Sequence, residues 1–389
     1  TGSLTKASSG TLTLSGANTF GGAINLGAGT LNFGVANAAA NASGLNVTGD
    51  ATFGLPDWSA GSALPIAIST GKTLTANAST GIHLDAALTG AGSLTIVGST
   101  TAGDRFILGA ATGFTGAINL QQGTLEADPF VGNTGTARNV SAINVTGDAT
   151  ILGTTYGGIA VPVSVAAGKT ATLKGIQAIG PGLSGAGTLL VSDSTLSLSG
   201  TNTFSGNIRL AGGSLAIVGT ANVANVAGLS VENNAGLALS TNDATLAAPI
   251  TIAASKLLTL SGNHALTLSG ALSGDGALRV NTNGSVVFGS TNTYHGGTAL
   301  DAGTSFLGAN NAFGDGTLTI SYGTISSDST AARSLDNNVV ATADLVLGDQ
   351  TKDGTLSFSG AVDLGGARSI SANAKVTFSG VVSNGAITK

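Results

Sequence analysis

Apolar and polar residues alternate along most of this chain in short runs, and a glycine closes nearly every run. In the first stretch Leu12, Leu14, Ile24, Leu26, Leu31 and Phe33 alternate with Thr11, Thr13, Asn25, Thr30 and Asn32. A period of two puts these sets on opposite faces of β-strands. No long stretch follows the helical period, and the dominant Gly, Thr, Ser, Asn and Val are poor helix formers. The pattern predicts an all-β chain with many turns.

The runs recur as a longer unit. The phrase Gly10 to Leu31 is centred on Phe20, and its copies centre on Phe114, Phe204 and Tyr294; the differences between these positions are 94, 90 and 90 residues. Opening glycines stand at Gly2, Gly92, Gly187 and Gly276. Leu45 to Asp50 is matched by Ile143 to Asp148 and by Leu229 to Glu232, and Leu64 to Ile68 by Val161 to Val165 and Ala248 to Ile252. The internal units are 2–91, 92–186, 187–275 and 276–384, with 385–389 starting a further unit. Gly2-Ser-Leu-Thr-Lys6 and Gly385-Ala-Ile-Thr-Lys389 share one phase, which predicts a segment of a longer protein.

A long-period repeat of short alternating segments marks a solenoid, because no single unit buries its apolar face alone. At about 20–25 residues per coil, residues 1–389 are expected to form one continuous right-handed parallel β-helix of roughly 17–18 coils. A strand spacing of ~4.8 Å makes that a rod of roughly 80–90 Å. The fourth unit is long enough for one extra coil. Gly22 recurs as Gly116, Gly206 and Gly296, and Gly29 as Gly123, Gly213 and Gly303. Such glycines are expected where the backbone needs positive φ or passes close to the next coil. Asn18, Asn202 and Asn292 share one corner, where Asn tolerates left-handed geometry and stacks between coils.

The string Leu4 to Gly22 resembles the autotransporter-associated β-strand repeat, also called the passenger-associated transport repeat. Ser194 to Leu215 and Gly284 to Leu307 are weaker copies. Asp104 to Leu125 departs most, with Thr112 in place of the corner Asn and Ala110 in place of a Gly. The resemblance implies a secreted protein of a Gram-negative bacterium, with a β-helical passenger exposed at the cell surface and a separate membrane barrel.

Composition narrows the functional classes. Only 8% of residues are charged while 42% are hydrophobic, which excludes a disordered chain. A net charge of −5 argues against a nucleic-acid partner. There is no cysteine, so disulfides contribute nothing, and there is no methionine, so the chain is expected to start at a processed terminus. No apolar run reaches the ~18 residues of a membrane-spanning helix, so this segment is not expected to span a membrane.

Chemistry is sparse. His83, His264 and His295 fall at different phases of the unit with no metal-ligand spacing, so neither metal nor cofactor is expected. Asp275-Gly276, Asp315-Gly316 and Asp353-Gly354 read as turns. A glycan-degrading site would need clustered carboxylates beside Lys or Arg. The densest group before the fourth unit is Glu126 with Asp128, next to Pro129, with Arg138 as the nearest base, and it reads as a loop. Asp349, Lys352 and Asp353 read as a solvated charged loop. Neither a GxSxG elbow nor a Ser-His-Asp set is present, so no enzyme is expected.

Aromatic residues supply the binding candidates. Trp58, the only Trp, lies in the loop Gly54 to Gly61, and Tyr156 occupies the matching place one unit later. Both are expected on one side of the rod, about four coils or ~20 Å apart, as anchors for a partner. The alternative is that each ring covers the core beneath a long loop. The pairs Thr11/Thr13, Thr73/Thr75 and Thr317/Thr319 occur too irregularly for an ice-binding array, while exposed Asn and Thr rows suit many weak contacts with another copy. The expected role is an adhesive or self-associating rod that meets a host or neighbouring-cell protein or glycan. Rival readings are a passive stalk, a secreted effector that binds a host receptor, and a glycan-degrading β-helix.

Overall fold

The computed structural model describes residues 2–35, 37–55, 64–78, 81–99, 101, 104–126, 139–153, 157–180, 182–239 and 241–389. They form two compact units, Thr1–Leu190 and Val191–Lys389. Both are parallel β-solenoids, and the chain makes about 17 turns in all. Strand pairings among the described residues are parallel, and partners on successive coils lie about one coil apart in sequence, as Leu4 with Ile24 and Ile24 with Leu45 show.

In the first unit the inward side chains stack in three columns. Leu4, Ile24, Leu45, Ile66 and Leu88 make one. Leu12, Leu31, Phe53, Ala76, Ile96, Leu120, Val145 and Val165 make the second. Ile82, Phe106, Leu125, Ile151 and Leu173 make the third. All are buried except Leu4 and Leu12 of the first coil. Each strand has the alternation of period two, so its apolar set meets the like set of the coil beneath. Phe33 and Phe53 meet edge to face at 5.1 Å.

The second unit repeats this scheme. Leu196, Leu215, Leu237, Leu260, Val280, Leu300, Ile320 and Ala341 stack in one column. Ile208, Leu229, Ile250 and Leu272 stack in another. Later coils add a three-stranded face in which Leu335, Phe358 and Phe378 are partners.

The sequence repeat and the coil do not share a period. Ile24 stands in the first column of its unit, but its counterpart Ile118 stands on the face of the second, between Leu94 and Ile143. The same step occurs in the other unit. Ile208 stacks on Leu229, whereas its counterpart Thr298 stacks between Leu278 and Leu318, in the sheet that carries Leu215 and Leu237. One repeat therefore spans four coils plus one further face.

The two recurrent glycines serve different needs. Gly29, Gly123, Gly213 and Gly303 have φ of 71°, 93°, 96° and 85°, a conformation that disfavours any side chain. Gly22, Gly116 and Gly296 lack positive φ, but a Cβ on them would overlap the carbonyls of Gly2, Gly92 and Gly276 in the coil beneath. The corner asparagines depart from expectation. None is left-handed; the described non-glycine residues with positive φ are Asp193, Ser255, Asn311 and Asn384. Instead their amides reach the next coil: Asn18 donates to the Ala38 carbonyl at 2.8 Å, Asn202 to Asn222 at 3.4 Å and Asn292 to Ala312 at 2.6 Å. Asn292 Oδ1 also accepts the Leu272 N–H at 2.7 Å. These bonds satisfy corner backbone groups that the strand ladders leave free.

Beside each corner an aromatic ring plugs the core. Phe114, Phe204 and Tyr294 are at most 2% exposed, while Phe20 on the first coil is half-buried. Tyr294 keeps its hydroxyl because it has an outlet: it donates to Thr298 Oγ1 at 2.5 Å, which donates onward to the Phe313 carbonyl at 3.0 Å. Burial, opposed by the Thr298 bond, pushes the Tyr294 phenol far above its ordinary value.

Two outcomes follow. Asn292→Ala strands the Leu272 N–H and the Ala312 carbonyl, so the urea midpoint of the second unit should fall by an amount worth about 2–4 kcal/mol. The raised Tyr294 phenol stabilises the fold fully below its unfolded value of about 10, and that stability drains away as pH rises above it. An alkaline unfolding titration should therefore show a loss of stability above about pH 10 that Tyr294→Phe reduces.

Candidate functional site

Outward side chains of the first unit also stack. Thr11, Thr30, Thr52, Thr75, Thr95, Asn119, Asn144, Ser164 and Ser184 are successive partners, one per coil. Part of the column is tied internally: Asn144 Nδ2 donates to Asn119 Oδ1 at 3.0 Å, and Ser164 Oγ to Asn144 Oδ1 at 2.8 Å. A neighbouring column pairs Asn46 Nδ2 with Asn25 Oδ1 at 3.1 Å. The threonines that look irregular in sequence are thus regular in space over five coils. Unequal coil lengths hide the order.

A groove of about 590 Å³ opens on the third face of the first unit. Its floor carries a hydroxyl column, Thr124, Thr150 and Thr172, and beside it the column Glu126, Leu152 and Lys174. Ser99, Thr101, Asp104, Asp148 and Thr170 also line the groove. Arg105, one coil before Glu126, pairs with it at 3.1 Å. Sequence reasoning had placed the nearest base at Arg138; one coil of separation makes Arg105 the partner. Arg138, Asp128 and Pro129 lie outside the described residues.

Asp148 has structural work. Its Oδ1 accepts the Thr170 N–H at 2.8 Å, just after the left-handed turn residue Gly168. Asp50 does the same for Thr73 after Gly71, at 2.8 Å, and Asn234 for Leu257 after Ser255, at 3.0 Å. An acceptor on one coil thus caps the first strand N–H of the next. The role needs an oxygen and no charge, since Asn234 fills it.

The second unit pairs its charges across coils too. Arg209 binds Glu232 through two bonds, at 2.6 and 3.0 Å, and those bonds raise the guanidinium's pKa above its ordinary value. Arg279 pairs with Asp301 in a shallower groove that also contains His295, Thr317 and Thr319. His295 is exposed and His264 half-buried, and coil stacking brings to them carboxylates that linear spacing does not show. His295 lies between Asp275 at 3.2 Å and Asp315 at 3.6 Å, and His264 lies 3.8 Å from Asp243. Even so, no group of three or more His, Cys, Asp or Glu is placed to hold a metal ion among the described residues. The charged loop of the fourth repeat also differs from expectation. Asp349 caps Thr351 and Lys352, while the Lys352 ammonium lies 3.6 Å over the Phe306 ring and its carbonyl accepts from Ser326 Oγ at 3.4 Å. The loop folds onto the sheet through its lysine because Phe306 points outward there.

Trp58 and Tyr156 lie outside the described residues. The strands that lead into their loops are described, and they stand in different columns. Ala51–Leu55 stacks against the strands of Thr30 and Thr75, whereas Ala149–Leu152 stacks against those of Thr124 and Thr172. Equal phase in the repeat is therefore not equal position around the coil, because each repeat advances one face. The groove and the hydroxyl columns escaped sequence reasoning for the same reason; only the exact coil lengths bring their members together.

Among the described residues, no helix is long and apolar enough to cross a membrane. The family model of the passenger-associated-transport-repeat matches residues 4–33 and 184–217, which contain the Phe20 and Phe204 copies of the phrase. The Phe114 and Tyr294 copies lie outside these matches. No curated protein and no solved structure matches the chain.

The capping role of Asp148 predicts a charge-independent effect. Asp148→Ala should lower stability by about 1 kcal/mol, whereas Asp148→Asn should leave it nearly unchanged, as read from thermal melts at neutral pH.

Proposed function

We propose that this chain, an autotransporter passenger sequence carrying passenger-associated-transport repeats on a parallel β-solenoid, works outside the cell as an adhesive and self-associating surface. The reading rests on one observation above others: the polar column from Thr11 to Ser184 has one hydroxyl or amide per coil, exposed at Thr11, half-buried along the rest and buried at Thr95. Each hydrogen bond such a side chain makes to a partner is weak, but many in one line add through their shared attachment. The repeat family fits a structural or adhesive role.

Catalysis forms no part of the proposal. At the large groove Glu126 is held by Arg105 and Asp148 by the Thr170 N–H, which leaves Asp104 as the carboxylate lining it without such a described duty. An acid–base pair needs groups free to exchange protons with a substrate. The partner in this reading is a protein or glycan of another cell surface, or a second copy of the chain, and neither nucleic acid nor a cofactor is required.

Beads coated with the folded chain test the reading directly. They should clump together, or adhere to cells, more than beads coated with an inert protein of similar charge. Beads that stay dispersed and bind no cells would mark the chain as a passive stalk.

A further inference from the structure

We infer that the groove over Thr124, Thr150 and Thr172 binds a neutral, linear, β-linked polysaccharide lying along the solenoid axis. This rests on the adhesive reading above and names the partner's chemistry at one site.

The first reason concerns what the groove can offer. The strand residues Gly123 to Leu125 already pair with Ala149 to Ile151, and Ala149 to Ile151 pair onward with Ala171, Thr172 and Leu173. Among the described residues no strand edge is free on this face, so a peptide has none to join by strand addition. Recognition must come from side chains, and the central ones are hydroxyls.

Spacing is the second reason. The three threonines repeat once per coil, at about 4.8 Å. An extended peptide laid along the axis rises only about 3.3 Å per residue and falls out of step after one coil. Each sugar of a β-linked hexose chain advances by nearly the coil spacing and presents hydroxyls, although alternate sugars of a β1,4 chain are turned over. Leu152, between Glu126 and Lys174 in the adjoining column, adds an apolar patch suited to the C–H face of a sugar ring.

Charge selects the class of polymer. Arg105 is neutralised by Glu126, and among the described residues that line the groove Asp104 and Asp148 leave Lys174 as the one other cation. A polyanion such as a uronate chain or a nucleic acid finds no net positive field here. A neutral chain is not penalised.

Calorimetric titration of the soluble chain tests this apart from adhesion. The probes are neutral β1,4-linked hexasaccharides of glucose and of N-acetylglucosamine, with a galacturonate oligomer of equal length as the charged control. At least one neutral probe should bind, and Thr124→Val/Thr150→Val/Thr172→Val should weaken it about tenfold or more. The single variant Thr150→Val, checked by circular dichroism and melting temperature, gives the same direction if the triple variant unfolds. Absence of neutral binding, equal binding by folded variants, or preference for the galacturonate would each overturn the inference. Beads that still adhere after such a failure would leave the adhesive reading standing, because bead adhesion does not depend on these probes.

Discussion

Every coil must sit in register on the coil beneath it, and the rest of the structure depends on that constraint. Register brings Leu31 over Leu12 and Phe53 over Leu31, so burial is a property of columns more than of single strands. A misplaced residue would turn a whole strand's apolar set outward. The corners carry the same demand. Gly116 has no side chain because the Gly92 carbonyl occupies that space, and Asn292 is buried because its amide closes the gap between three coils. Capping oxygens such as those of Asp50, Asp148 and Asn234 then hold the start of each next strand.

The mismatch between repeat and coil shapes what the surface can do. Since a repeat ends one face beyond its starting point, repeated phrases do not form a row of equivalent sites on one side. Periodicity on a single side comes instead from the coils, as in the column from Thr11 to Ser184 and the shorter one from Thr124 to Thr172. The repeated phrase is thus best understood as architecture, built from a corner amide, a ring plug and two obligatory glycines. Recognition belongs to the outward positions between those fixed points.

Charge plays a local part. Arg105 with Glu126, Arg209 with Glu232 and Arg279 with Asp301 each link adjacent coils at partly exposed positions. Such pairs contribute little each, typically about 0–1 kcal/mol, so cohesion rests on the apolar columns and the saturated backbone. Asp336 shows a similar cross-coil tie: bonds from Ser359 and Asn311 hold its carboxyl below the ordinary range.

The amino-acid sequence by itself determined the fold class, because period-two alternation marks strands and the long glycine-punctuated repeat marks a solenoid. It also marked the two glycine positions, the corner asparagines and the aromatic plugs, all of which are strict local requirements. Tertiary structure alone decided which faces those elements occupy. The number of residues in each coil varies, so adding one short loop changes every later partner, and no local pattern records that sum. For this reason Arg105 meets Glu126, His295 meets Asp275 and Asp315, and the strands before Trp58 and Tyr156 part company. The corner asparagines make the same point on a smaller scale. Their identity was legible, but their carbonyl partners twenty residues on belong to another coil and become neighbours only once the solenoid is wound.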